Sequence, residues 1–212
     1  MKNYFPLIFL PILISACAPV YFPNQLQTPL LKEKNEATVS ISTGTSNFDV
    51  QAAFSPIKHM DLLFDLSAAN LSDHEHLQIE GGLGYYNTLN EVIHVEFLGG
   101  GGAGYSKTTT QGTLGEHNEG MFSRFYLQPN VFLISEYAEL GLATRLAFIN
   151  FREYGLGSYL EPTLVGRFGL ENIKFQVQAG LSYNINDNVE LDYNPLIFNL
   201  GLVYTFRKKT KE

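Results

Sequence analysis

The side chains able to do chemistry are few, and their spacing limits what they could do. Asp73-His74-Glu75-His76 and Glu116-His117 bring imidazoles and carboxylates together. Histidines at i and i+2 share one face of a strand, so His74 and His76 could hold a metal with His117 or Glu116 as third ligand. His-x-His in an acidic loop is more often solvated surface, and no metal site is assigned. His94, two residues before Glu96, could serve as a base. The plainer reading of that pair is a hydrogen bond inside a polar interior. Ser72 and Ser106 have no recognisable base and orienting group, so a nucleophilic triad is not expected. The glycine run 99–102 lacks the helix that a phosphate cradle requires. No catalytic residue and no cofactor is assigned, and an enzyme is the second reading, not the first.

The remaining charges need a scaffold before they mean anything. From about residue 37 onward apolar and polar residues alternate with period two, the strand signature. Leu77, Ile79, Leu83 and Tyr85 alternate with His76, Gln78, Glu80 and Gly84, and Leu196, Phe198, Leu200, Leu202, Tyr204 and Phe206 with Asn199, Gly201 and Thr205. The pattern predicts ten strands: 37–44, 47–56, 60–70, 75–86, 92–106, 120–133, 136–151, 158–169, 173–185 and 195–206. Eight is the second choice. Leu98 and residues 131–134 break the alternation. Short connections near 55–59, 87–91, 133–136 and 170–172 alternate with longer ones at 71–74, 107–119, 152–157 and 185–194. That rhythm, with several strands of ten or more residues, predicts a closed antiparallel up-and-down transmembrane β-barrel. The polar face then becomes the lumen. Asp49, Asp61, Asp65, Glu80 and Glu96 fall on the second to fifth strands, and Arg124, Arg145 and Arg167, with Glu139 and Glu161, on the sixth to eighth. The expected lumen network is Asp49, Asp65, Glu80, Glu96, Arg124, Arg145, Glu161 and Arg167, an acidic wall crosslinked to a basic wall opposite. A lumen filled in this way blocks free diffusion.

Length agrees with a single domain of ordinary size. The 212 residues carry a formal net charge of −7, with 45% hydrophobic and 17% charged residues, which argues against disorder and against nucleic acid as partner. No apolar run reaches the length of a membrane-spanning helix. The single cysteine excludes a disulfide framework and a multi-thiolate metal site.

That cysteine has a context. Met1-Lys2-Asn3 is a basic start, and Tyr4–Ile14 is an apolar run too short to span a bilayer. Ile14-Ser15-Ala16-Cys17 resembles the bacterial lipobox. The resemblance implies diacylglycerol on the Cys17 sulfur and cleavage before it, leaving a mature charge of 13 − 21 = −8. Ala18, where an Asp would favour inner-membrane retention, allows delivery to the outer membrane. The expected division is 1–16 signal peptide, 17–36 lipidated tether, 37–206 barrel and 207–212 basic tail. An even strand count puts both ends of the barrel on one side, which would set the tether in the inner leaflet of the outer membrane.

Alternation alone leaves two orientations open, because a soluble sandwich or lipocalin-like binder would turn its apolar face inward. Aromatics at strand ends (Tyr85, Tyr105, Tyr183, Tyr204, Phe206) favour the membrane. Asn199, Gly201, Tyr204 and Phe206 in the last strand resemble the β-signal read by the barrel-assembly machinery, although Arg207–Glu212 follows where the signal usually ends the chain. Cys17-Ala18-Pro19-Val20-Tyr21, Pro23-Asn24, Pro29–Lys34 and Asp49–Phe54 are similar to small outer-membrane barrel lipoproteins to which no activity is attached. The resemblance implies location and fold. Outer-membrane lipid and the assembly machinery are the expected partners, and the first reading of the role is structural or surface interaction, with loop 107–119 as contact surface. The second reading is a rim enzyme acting on lipid or peptide, as in small outer-membrane barrels with His and acids near the rim. The third is a soluble lipoprotein binding an apolar ligand. Oligomeric state is left open.

Overall fold

The computed structural model describes residues 21–45, 47–71, 74–109, 117–152, 155–186 and 193–207. Cys17 and the signal segment, Ser72, Asp73, Glu116, the side chain of His117 and the tail beyond 207 lie outside the described residues.

The described chain forms β1 (Ala37–Gly44), β2 (Phe48–Ile57), β3 (Met60–Leu71), β4 (His74–Leu89), β5 (Ile93–Thr109), β6 (His117–Ile134), β7 (Ala138–Phe151), β8 (Gly155–Gly169), β9 (Ile173–Leu181), β10 (Tyr183–Asn184) and β11 (Leu196–Phe206). β10 continues the line of β9 past Ser182, and both lie against β8. The ring therefore has ten staves, as the alternation predicts, each antiparallel to its neighbours. It closes where β1 pairs with β11, from Ala37↔Phe206 to Gly44↔Asn199. Closure leaves no unpaired edge, the condition for strands to cross a bilayer. β5 and β6 run past the alternating stretch because their ladder continues out to Thr109↔His117. The link at 71–74, expected among the longer ones, is only residues 72–73.

The connections alternate between two ends, and the two long ones, 110–116 and 185–195, fall at the same end. Residues 58–59, 90–92, 135–137 and 170–172 make the turn end; 45–47, 72–73, 110–116, 152–154 and 185–195 make the loop end. Both termini of the barrel, Ala37 and Phe206, sit at the turn end.

The orientation of the two faces is unambiguous. Leu62, Phe64 and Leu66 on β3, Leu77, Ile79 and Leu83 on β4, and Phe198 and Leu202 on β11 are exposed, while Asp61, Asp65, Gln78 and Glu80 on the alternate positions are buried. An apolar surface running around the whole ring is unlike that of a soluble monomer and is the surface of a transmembrane barrel. Aromatic rings mark its margins. At the turn end lie the pairs Phe168–Phe175 and Tyr204–Phe206, with centroids 5.1 and 4.5 Å apart, and the exposed Tyr85 and Tyr137.

Candidate functional site in the barrel lumen

The bore of the barrel is occupied by the chain itself. Residues 21–31 run from the loop end to the turn end as an irregular strap, and every one of them is buried. This corrects the expectation of a tether over 17–36: of its described part, residues 21–31 lie inside the bore, and 32–36 turn back at its mouth. The absence of regular structure in it has a local cause, since Pro23 and Pro29 lack backbone donors and disfavour helix in the residues before them.

At the loop end, Tyr21 packs among Phe122, Ala147, Ile149, Phe151 and Tyr159. Its hydroxyl donates to Glu161 Oε1 at 2.7 Å, and its carbonyl accepts the Asn194 N–H at 2.9 Å. The Phe22 ring lies 3.6 Å from the His74 ring. Midway, Asn24 receives two guanidinium groups: Arg124 donates to its Oδ1 at 2.8 Å and Arg145 to its carbonyl at 3.1 Å. Gln25 donates through its N–H to Asp49 Oδ2 at 3.4 Å and through Nε2 to Gln51 Oε1 at 3.1 Å, and it accepts from the Ser42 hydroxyl. Gln178 grips Leu26 with both ends of its amide, accepting the N–H at 3.0 Å and donating to the carbonyl at 2.9 Å. Gln128 and Asn130 donate to the Gln27 carbonyl at 2.5 and 3.1 Å. Arg167 donates to the carbonyl of Thr28 and, at 2.7 Å, to its hydroxyl. Leu30 N–H donates to Glu96 Oε1 at 2.6 Å. An extended segment carries one donor and one acceptor per non-proline residue, and burial demands partners for both. The polar lumen supplies them.

Three apolar patches inside the bore receive the strap's apolar side chains. Tyr21 fills the one at the loop end. Leu26 and Leu30 pack with Phe132, Ile134, Ala143, Val165 and Ile197. Leu31 packs with Ala53, Leu63, Tyr86, Leu98 and Tyr126. Leu98, out of place on a polar face in the sequence, belongs to the last patch. Beside the strap a cavity lined by Gln27, Thr28, Gln51 and Arg167 measures about 10 Å³, room for a single water.

All eight residues of the expected network face the lumen and are buried, but their ion pairs do not cross it. Arg145 Nε meets Glu161 Oε2 at 2.5 Å, directly across the β7–β8 ladder. Arg167 and Lys174 share Glu139 at 3.6 and 2.5 Å. Arg124 Nε meets Glu80 Oε1 at 3.0 Å, two strands away. The register explains that reach: Glu80, Gly102 and Arg124 are successive cross-strand partners, and Gly102 has no side chain between them. A Cβ at Gly102 would stand 2.8 Å from Glu80 Cα. Glu80 and Arg124 thus join the acidic and basic walls where they adjoin, and across the bore the two walls meet through the strap. Asp49 and Asp65 have no cationic partner among the described residues; Asp65 accepts from Gln51 at 2.6 Å.

Where the strap leaves the turn end, Glu36 organises a reversal into β1. Its Oε2 accepts the N–H groups of Lys32 and Glu33 at 2.6 and 3.0 Å, and its Oε1 takes Arg207 Nε at 2.6 Å. Asn35 adopts a left-handed backbone, φ 64°, which asparagine tolerates better than most residues. Burial and then the neighbouring Arg207 charge hold the Lys32 ammonium below its ordinary pKa.

Among the described residues, His74, His76 and His94 do not lie at an open rim. His74 and His76 are buried in the bore with centroids 5.9 Å apart, His74 under Phe22 and His76 against Phe122. His94 sits between the Thr88 hydroxyl at 2.9 Å and Glu96 at 3.3 Å, while Asn130 and Leu30 N–H occupy the same carboxylate. Sequence reasoning missed Gln51, Gln128, Asn130, Gln176 and Gln178, the amides that hold the strap. Their signal was in plain view: long amides on lumen-facing positions, facing a segment that itself reads Asn-Gln-Leu-Gln-Thr.

No family model matches the chain, and no curated protein matches it. Solved structures similar to it include the N-terminal β-barrel domain of Pseudomonas aeruginosa OprF (7% identity, 82% of this chain and 100% of that one, TM-score 0.40). Others are the NanC porin (11%, 82% and 99%, TM-score 0.38) and the translocator domain of the autotransporter NalP from Neisseria meningitidis (12%, 81% and 86%, TM-score 0.41).

Proposed function

We propose that this chain is an outer-membrane barrel lipoprotein with a structural or surface-interaction role, whose bore is permanently closed by its own N-terminal strap. The observation that carries the reading is the strap itself. It is fixed by hydrogen bonds to side chains of β1, β2, β3, β5, β6, β7, β8 and β9. A pore-forming role needs an aqueous path, and the charged side chains that would line one are instead spent on the strap and on each other. A lipocalin-like role needs an apolar interior cavity, and the interior is ionic and filled. A rim enzyme needs His74, His76 or His94 within reach of substrate, and each is covered.

The barrel carries Asn199, Gly201, Tyr204 and Phe206 as its handover signal to the assembly machinery, Tyr204 and Phe206 being outward and Asn199 inward. Loop 107–119 supplies the outer contact surface, at the end of the barrel opposite Ala37 and Phe206, as longer loops of outer-membrane barrels face outward. The test is planar-bilayer conductance of the purified full-length chain beside a chain lacking residues 21–31. The full chain should be electrically silent and the shortened one should conduct. Steady conductance through the full chain would overturn the closed-bore reading.

A further inference from the structure

The direction of the strap decides which side of the membrane the chain starts on. Glu36 and Arg207 hold its C-terminal end at the turn end, beside the termini of β1 and β11. Tyr21 lies at the opposite mouth. It forms a parallel bridge with Tyr193 between β10 and β11, its ring lies tilted 4.6 Å from that of Tyr159 near the start of β8, and it is followed by Phe22 on His74, the first residue of β4. Extended chain advances about 3.3 Å per residue, so these eleven residues, with Leu30 turned left-handed at φ 52°, reach at most about 36 Å, comparable with a hydrocarbon core of about 30 Å.

We propose that the chain passes through its own barrel from the periplasmic to the outer mouth, so that the residues ahead of Tyr21 emerge on the cell surface and the acyl chains on Cys17 enter the outer leaflet. The lipid half of this rests on the lipoprotein reading above; the threading half rests on the strap alone. Reach settles the leaflet. Three residues lie between Cys17 and Tyr21, so the four steps from one to the other span at most about 14 Å fully extended. That is enough to turn over the rim of the barrel from its mouth. It is less than half of what a return to the inner leaflet requires, and the bore is already occupied. The expectation of an inner-leaflet tether came from the even strand count, which places Ala37 correctly but says nothing of a segment that doubles back before it.

The experiment uses the full chain in the outer membrane of intact cells. One variant carries a short epitope between Pro19 and Val20, a second the same epitope after Arg207. Antibody should stain the first equally before and after the outer membrane is permeabilised, and the second only afterwards. Staining of the first only after permeabilisation would overturn the threading. Val20→Cys, labelled on intact cells with a membrane-impermeant maleimide, repeats the test without an insertion, and absence of label beyond wild type counts against threading in the same way. Wild type reports on the lipid: an acylated Cys17 cannot react, so maleimide labelling of wild type removes the leaflet assignment while leaving threading standing. Heat-modifiable gel migration is read on every sample, and its loss in wild type signals failure of the barrel reading rather than of the strap's direction.

Discussion

Leu26→Ala should loosen the strap without unfolding the barrel, and the size of the effect can be worked from its surroundings. Leu26 is fully buried among Leu30, Phe132, Ala143, Val165 and Ile197, on walls held by strand ladders that cannot collapse inward. Leu→Ala at such a site costs about 2–5 kcal/mol. Because about 1.4 kcal/mol is a factor of ten, the equilibrium between seated and released strap should shift by about 30- to 4,000-fold. Hydrogen exchange reads this directly, since the Leu26 amide is held only by Gln178 and the Leu30 amide by Glu96, and local opening exposes them before the strand amides. The peptide covering 21–31 should exchange faster by that factor in detergent micelles, with β4–β6 unchanged. Equal protection in both proteins, or acceleration spread evenly over the strands, would refute the idea of a separately seated strap.

Other perturbations probe its supports. Gly102→Val should drive a side chain into Glu80 and part it from Arg124, lowering stability by about 1–3 kcal/mol as seen in the temperature at which the folded band disappears on a gel. Arg145→Ala leaves Glu161 with only the Tyr21 and Ser182 hydroxyls; stranding a buried charge costs about 3–5 kcal/mol, and Arg145→Met with Glu161→Gln should recover part of the lost unfolding temperature. Glu36→Ala removes the acceptor for two backbone amides and Arg207, so protease should cut at 32–35 faster than in wild type while the strands stay resistant.

The barrel was legible because lipid and lumen impose opposite chemistries on alternate residues, and ten stretches of alternation survive in the sequence. The strap was not, because a segment buried by polar partners from eight different strands has no periodicity of its own. Asn24, Gln25 and Gln27 look like linker residues until Arg124, Gln51 and Gln128 are placed opposite them. The lumen charges were assigned to the right face, but pairing depends on register, which no composition reveals: Arg124 reaches Glu80 only because Gly102 lies between them. The apolar exceptions at Leu98 and 131–134 were the readable clue. An apolar side chain pointing into a polar bore needs company, and Leu31, Leu26 and Leu30 provide it.

The seam between β1 and β11 also imposes an order of events. A finished hoop would have to admit its own leading end through a bore lined with guanidinium and carboxylate groups, and the bulky Tyr21, Phe22, Leu26, Leu30 and Leu31 would all have to pass them. The staves must therefore be laid around the strap while the hoop is still open, and the last pairing, Ala37 with Phe206 through Gly44 with Asn199, locks it like a bolt cast in place.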